Sequence, residues 1–332
     1  MSLINKNDKI FIAGSRGMVG SAIKRKLNDF GYNNLLCPNR NELDLTNNKA
    51  VSEWYKKNNP DIIILAAATV GGIYANNSYP ANFILDNIKI QTNVIESAWK
   101  NEAKRLLFLG SSCIYPRDTK QPIQEDALLK GNLEKTNQWY AIAKISGIKL
   151  CQALRIQYGF DAISLMPTNL YGKGDNYHKK NSHVLPALID RFHSHQKENM
   201  KSIKCWGSGE ARREFMHVKD LAEASVFSLE NWDPKKDNAP LDELGEPLTW
   251  LNVGTGVDIT IKELAKMIAD ITSFEGKILW DKSKPDGTYQ KLLDVSKLKY
   301  LGWNSKISLK EGLKETYEDY KKDVLFNRLR SK

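Results

Sequence analysis

Cysteine is scarce and scattered. Cys37, Cys113, Cys151 and Cys205 form no C-x-x-C pair, which argues against both a disulfide framework and a zinc knuckle. No apolar run approaches the roughly eighteen residues that a membrane-spanning helix needs. The opening stretch MSLINKNDK lacks the apolar region of a signal peptide, so a cytoplasmic protein with no membrane partner is expected. Metal-ligand spacings, internal repeats and low-complexity linkers are also missing. Acidic residues are outnumbered, 39 Asp+Glu against 49 Lys+Arg, for a formal charge of +10. Such a balance invites a nucleic-acid reading, but the lysines are spread along the whole chain with no basic arm and no recognised motif. No nucleic-acid partner is expected, whereas a polyanionic small substrate remains compatible.

What is present is ordinary for a globular protein: 332 residues, 41% hydrophobic and 27% charged, enough for one large domain or two modest ones. The first half alternates short apolar strands (10–13, 34–37, 62–66, 106–110, 162–166) with amphipathic helices (18–31, 47–58, 82–101, 137–158). That alternation predicts an α/β fold, a doubly wound parallel (Rossmann) sheet covered on both faces. After Pro167 the alternation weakens. A loop leads to a helix from Val184, a strand at 204–206, the turn Gly207-Ser208-Gly209 and a helix over 218–230. The polar stretch 231–247 reads as a surface loop, and 251–253 as a strand returning to the large sheet. Thr260 is a candidate N-cap for a helix through 271, and helices at 294–300 and 308–323 close the chain. The division expected is a dinucleotide-binding domain of residues 1–170 plus about 214–256, and a smaller, discontinuous α/β substrate domain of about 171–213 plus 257–332.

Gly14-x-x-Gly17-x-x-Gly20 follows the first strand and opens the first helix. In that context glycine permits the tight turn, lets the backbone approach a pyrophosphate and lets helix pack on strand, while the helix N-terminus offers unpaired N–H groups. The loop Gly14-Ser15-Arg16-Gly17-Met18-Val19-Gly20 and Asp44, after the second strand, are therefore candidate dinucleotide contacts. An NAD-selective site places an acidic residue at the end of the second strand. This chain has Asn39-Arg40 there, with Arg16 in the glycine loop. Two guanidinium groups suit a 2′-phosphate and favour NADPH, the alternative being two solvated surface charges.

Tyr140 and Lys144 stand one helical turn apart, downstream of the strand-end triplet Ser111-Ser112-Cys113. An ammonium one turn away favours the ionised phenol, and a serine hydroxyl beside it can hold a carbonyl oxygen. On their own the pair could equally be an aromatic and a solvated charge on a surface helix.

With the segments Leu109-Gly110-Ser111-Ser112-Cys113-Ile114-Tyr115-Pro116, Tyr140-Ala141-Ile142-Ala143-Lys144, Met166-Pro167-Thr168-Asn169-Leu170-Tyr171-Gly172, Asn181-Ser182-His183-Val184, Trp206-Gly207-Ser208-Gly209, Arg213-Glu214-Phe215 and Ser283-Lys284-Pro285-Asp286-Gly287-Thr288, the chain resembles the extended short-chain dehydrogenase/reductase family. The glycine loop and the Tyr-x3-Lys segment belong to the superfamily; the others point at its fucose synthase branch. The resemblance runs from Lys9 to about Tyr320. It implies an NADPH-dependent enzyme that takes GDP-4-keto-6-deoxy-D-mannose, inverts C3 and C5, then reduces C4 to give GDP-L-fucose. It implies that Ser111 and Tyr140 hold the C4 oxygen, that Tyr140 donates the proton during reduction, and that Lys144 lowers the phenol's pKa while binding the nicotinamide ribose. Cys113 as base and His183 as acid match the inverting residues, the alternatives being a small core thiol and a helix-terminal histidine. Leu109, Gly110, Ser112, Pro167, Thr168, Asn169, Leu170 and His183 match cofactor contacts, while Arg191, Trp206, Arg213 and Asp286 match contacts to the GDP-sugar. Trp206 could instead be core, and His178, His193 and His195 read as surface or loop residues. A homodimer is implied as well.

Two rival readings stay open. One is a C4 reductase of a related GDP-4-keto-6-deoxy sugar, such as a heptose, without epimerase activity. The other is a nucleotide-binding regulator that kept the fold and lost catalysis, which the presence of both Tyr140 and Lys144 disfavours.

Overall fold

A computed structural model describes residues 2–284 and 286–330. The first half runs β1 (Ile10–Ala13), α1 (Met18–Asp29), β2 (Leu35–Leu36), α2 (Asn48–Asn58), β3 (Ile62–Leu65), α3 (Ile73–Ser78), α4 (Pro80–Lys100), β4 (Arg105–Leu109), α5 (Gln138–Tyr158) and β5 (Ala162–Pro167). There follow β6 (Asn169–Tyr171), α6 (Val184–Lys197), β7 (Ser202–Trp206), β8 (Arg212–His217), α7 (Val218–Asn231), β9 (Trp250–Val253), β10 (Asp258–Thr260), α8 (Ile261–Thr272), β11 (Lys277–Asp281), β12 (Gln290–Lys291), α9 (Ser296–Tyr300) and α10 (Leu309–Leu325).

The main sheet has the order β2-β1-β3-β4-β5-β9, and its neighbours pair parallel throughout. Parallel strands covered on both faces read as continuous apolar runs. In β3, Ile62, Ile63, Ile64 and Leu65 are all fully buried, each contributing about 2 kcal/mol of hydrophobic burial. Helix α1 packs on α7, while α2, α4 and α5 pack in series. Strand order reverses between β1 and β3, which opens a crevice at the carboxyl ends of the strands.

Sequence signals set the helix limits. Asn47 caps α2 by accepting the Ala50 N–H; Thr260 with Glu263 and Ser308 with Glu311 form capping boxes at α8 and α10. Strand β9 joins the main sheet beside β5, as its apolar run implies.

Beyond β5 the strands are short and polar. β10 and β12 flank β8, β6 pairs with β8 as well, and β11 pairs with β7. The apolar pattern marks only β7 among them, because Arg212, Arg213, Gln290 and Lys291 occupy positions where a strand signal expects alternation. A second cluster of buried side chains, including Leu185, Phe192, Phe215, Leu264, Ile268 and Leu313, lies beneath these elements. His193 belongs there too. It is 7% exposed, with Nδ1 2.8 Å from the Tyr317 hydroxyl, so the surface reading of this histidine is corrected: α6 turns that face inward. Among the described residues no helix is long and apolar enough to cross a membrane, and no group of three His, Cys, Asp or Glu is placed to hold a metal.

Candidate active site

The glycine loop lies at the strand-order reversal. Gly14 has φ +88°, and a Cβ there would stand 2.8 Å from the Ala67 backbone just beyond β3. A Cβ on Gly20 would stand 2.2 Å from the Gly14 carbonyl oxygen. Only hydrogen fits at either position, so α1 approaches the strand ends closely and points its N-terminus into the crevice. Gly17 is the N-cap, no side chain caps the helix and its first turn holds no acidic residue. The first-turn N–H groups, from Met18 to Gly20, are thus left for a ligand anion. Ser15 is buried in the loop, and Arg16 and Arg40 are exposed. Asp44 is engaged locally: its carboxylate accepts the Thr46 N–H at 3.0 Å and hydroxyl at 2.8 Å, which holds it below the usual carboxylate range. These features fit a dinucleotide diphosphate, with cations free to meet a further phosphate.

The candidate catalytic groups of these two elements come together where β4 ends and α5 begins. Ser111 caps a short turn over residues 112–114, accepting the Cys113 N–H at 3.2 Å. Its hydroxyl also lies near the Tyr140 phenol and favours the ionised form of that group. Cys113 is a half-buried free thiol, and Asn137 donates to its sulfur at 3.4 Å. Lys144, one turn along α5 from Tyr140, is buried and donates to the Leu109 carbonyl at 2.7 Å.

One expectation is overturned here. Burial pushes the Tyr140 phenol well above the usual tyrosine range; proximity to Cys113 adds to this and the Ser111 hydroxyl opposes it. Lys144 does not pull it down. Burial draws the ammonium itself down to about 7, and the amine is turned onto Leu109. A phenol that stays protonated at neutral pH is suited to donating a proton.

His183 is the N-cap residue of α6, and its side chain makes no capping bond. It is exposed, and partial loss of water around it moves its imidazole below the ordinary value. Contacts tie its loop toward Tyr140. The Gly72 N–H donates to the Asn181 carbonyl at 2.8 Å, a Cβ on Gly71 would lie 3.2 Å from the Phe83 ring, and Phe83 meets Tyr140 edge-on at 6.4 Å.

Among the residues expected to meet the cofactor, Gly110 packs under Met166, whose sulfur would lie 2.3 Å from an added Cβ, and Ser112 is buried. Past Leu109 and Pro167, the Thr168 hydroxyl and the Asn169 amide both donate to the Glu214 carbonyl, at 3.2 and 2.8 Å. These bonds fix the turn before Leu170 against β8. Among the residues expected to meet the sugar nucleotide, Arg213 donates to the Arg212 carbonyl at 2.7 Å; burial lowers its guanidinium pKa, opposed by Cys113, Glu134 and Asp286. Asp286 accepts the Ser208 N–H and hydroxyl at 2.7 and 2.8 Å, clasping the 286–288 loop to the Gly207–Gly209 turn. Pro285, in the same motif, lies outside the described residues. Trp206 is 65% exposed, which removes its core alternative, and Arg191 donates to the Lys204 carbonyl in the same strand, β7.

The sequence signals missed three neighbours of this site. Asn137 and Lys291 reach the Cys113 sulfur, the latter at 3.9 Å. Glu214, fully buried on β8, accepts the N–H groups of Thr255, Gly256 and Leu293 at 2.6, 2.8 and 3.0 Å. Asn137 had a signal, as an Asn opening a helix; Lys291 had none, standing 178 residues from Cys113.

This geometry agrees with the comparisons. Residues 10–240 match the NAD dependent epimerase/dehydratase family. The chain belongs to this family. It is 54% identical over 323 residues to a putative GDP-L-fucose synthase 2 of Arabidopsis thaliana, covering 97% of this chain and 94% of that protein. Identity to the GDP-L-fucose synthase of Escherichia coli K12 is 51%, covering 93% of this chain and 95% of the relative. Among solved structures, a GDP-mannoheptose C4 reductase from Campylobacter jejuni with NADP bound superposes with a TM-score of 0.84 at 38% identity, over 96% of this chain and 99% of that one. The extended short-chain dehydrogenase/reductase resemblance and the Rossmann-type α/β fold are therefore both borne out.

Proposed function

We propose that this chain converts GDP-4-keto-6-deoxy-D-mannose to GDP-L-fucose by inverting C3 and C5 and reducing C4 with NADPH. The observation that carries the reading is the thiol of Cys113 within the Ser111 and Tyr140 constellation, presented to the cleft by Asn137. Reduction needs a hydroxyl pair to hold a ketone and has no use for a thiol; inversion needs a base for a C–H bond. A C4 ketone acidifies the C–H bonds on both sides, and Ser111 and Tyr140 donate to its oxygen as negative charge develops there. Cys113 takes the proton from one face and His183 returns one from the other. Their opposed placement is part of the proposal and is supported by the loop contacts that draw the 181–183 segment toward Tyr140. NADPH, when bound, supplies the hydride for C4. Tyr140, protonated at neutral pH, then gives its proton to the C4 oxygen.

In the same reading the glycine loop, Arg16 and Arg40 hold the dinucleotide. The residues from Leu109 to Ser112, Lys144 and the 167–170 turn line its nicotinamide end. Arg191, Trp206, Arg213 and Asp286 take the GDP-sugar. The domain division, 1–170 with about 214–256 against about 171–213 with 257–332, is supported by the second buried cluster for most of its length, although Leu293, Leu298 and Trp303 pack in the main core and Phe215 in the second; a cytoplasmic setting is supported by the family's biosynthetic chemistry. A homodimer is supported by large apolar side chains left exposed on α4 and α5, namely Leu85, Trp139 and Ile142.

The structural neighbour that reduces a mannoheptose favours a second reading, C4 reduction without inversion. Incubating the ketosugar in deuterium oxide without NADPH separates the two. Deuterium at C3 and C5 is expected; protium kept at both positions, with reduction intact, would select the second reading.

A further inference from the structure

Lys291 has no part in the reading above. It is the register partner of Arg213 across the parallel pair β12 and β8. Side chains so paired leave the same face about 5 Å apart, and two cations placed this way repel. Arg213 contacts the carbonyls of Arg212 and Tyr289, and the Lys291 ammonium contacts the Cys113 sulfur at 3.9 Å. An anion between the two strands and β4 would relieve the repulsion.

Asn137 indicates which anion. An asparagine at a helix N-cap ordinarily accepts a first-turn N–H, a bond contributing about 1 kcal/mol. Asn137 makes no such bond and instead donates to the Cys113 sulfur at 3.4 Å, while its own oxygen is buried without a partner. Two donors from separate parts of the chain thus converge on one sulfur. Donors favour the deprotonated sulfur, the better acceptor.

The lysine is held from a braced strand. Arg212 N–H donates to the Tyr289 carbonyl at 2.7 Å, Leu292 N–H to Gln121 Oε1 at 2.8 Å and Leu293 N–H to Glu214 Oε2 at 3.0 Å. Such support on both sides places a side chain reproducibly. The charged and titratable groups that face the sulfur are Lys291 from β12, Arg213 from β8 and Tyr140 from α5.

We infer that Lys291, with Asn137, is a positioning residue for the inversion step, aiming the Cys113 sulfur at the sugar and stabilising the negative charge on it as it takes the proton. The inference rests on Cys113 being the base. The sulfur takes the C–H proton as S–H, the electron pair of that bond passes to the enolate oxygen held by Ser111 and Tyr140, and Lys291 keeps its own proton throughout.

Three measurements on Lys291→Met, Lys291→Arg and Asn137→Ser test it: iodoacetamide alkylation of Cys113 against pH, followed by peptide mass spectrometry; deuterium uptake by the ketosugar without NADPH; and NADPH formation from GDP-L-fucose and NADP. Lys291→Met is expected to slow alkylation at pH 7 and deuterium uptake by about tenfold or more, and to move the alkylation profile to higher pH. Lys291→Arg should recover most of both, and NADPH formation should fall by less than about threefold in either variant. Asn137→Ser should move the alkylation profile in the same direction, which keeps the test decisive should Lys291→Met not fold. Unmoved profiles, or equal loss of all three activities, would overturn the inference. If the unaltered enzyme takes up no deuterium, the epimerase reading fails, and the alkylation profiles still decide whether Lys291 governs the thiol.

Discussion

Lys144 should contribute stability that rises with pH between 7 and 9. The residue is 3% exposed, its amine donates to the Leu109 carbonyl, and burial draws its pKa to about 7. In the unfolded chain the same amine titrates near 10.4. Across the window between these values the unfolded chain holds a proton that the folded site has released, so ΔG of unfolding increases with pH. Integrating the two titrations from pH 7 to 9 gives a gain of about 2 kcal/mol, short of the full slope because the folded group is half protonated at the lower limit. Other groups also respond to pH, so the quantity to measure is a difference. Urea unfolding of the native chain and of Lys144→Met at both pH values removes the common terms. The native chain should gain about 2 kcal/mol more than the variant. Parallel pH dependence in the two proteins would show that the buried amine is solvated or paired in a way this geometry lacks, and the argument for a neutral lysine would fail.

Other outcomes follow from single contacts. Gly20→Ala puts a methyl group 2.2 Å from the Gly14 carbonyl oxygen, so NADPH affinity measured by fluorescence titration should drop by about tenfold or more, with a loss of stability of about 2 kcal/mol. Arg40→Asp should lower NADPH affinity by about tenfold while raising that for NADH, read as the ratio of kcat/KM for the two cofactors; an unchanged ratio would mean that Arg40 only faces solvent. Glu214→Gln can keep an oxygen for the Thr255 and Gly256 N–H groups but turns an NH2 group on the Leu293 N–H, and should cost about 2 kcal/mol by denaturant titration. Thr260→Ala, which removes half of a capping box on α8, should cost about 1 kcal/mol in the same assay.

The main sheet, its helices, the glycine cradle and the Ser111, Tyr140 and Lys144 trio were legible because each is encoded within a few residues. Four consecutive apolar residues make β3, a missing side chain at Gly14 and Gly20 lets two backbones touch, and helical spacing puts Tyr140 one turn from Lys144. Tertiary structure decided what depends on surroundings. His193 reads as an ordinary polar residue until α6 turns it onto Tyr317. Spacing suggested an acidic phenol beside a charged lysine, yet burial of both groups moved their proton affinities the other way, since removing water penalises whichever form is charged. The pairing of β12 with β8 brought Lys291 to a thiol far away along the chain, and no local pattern encodes a contact closed at that distance.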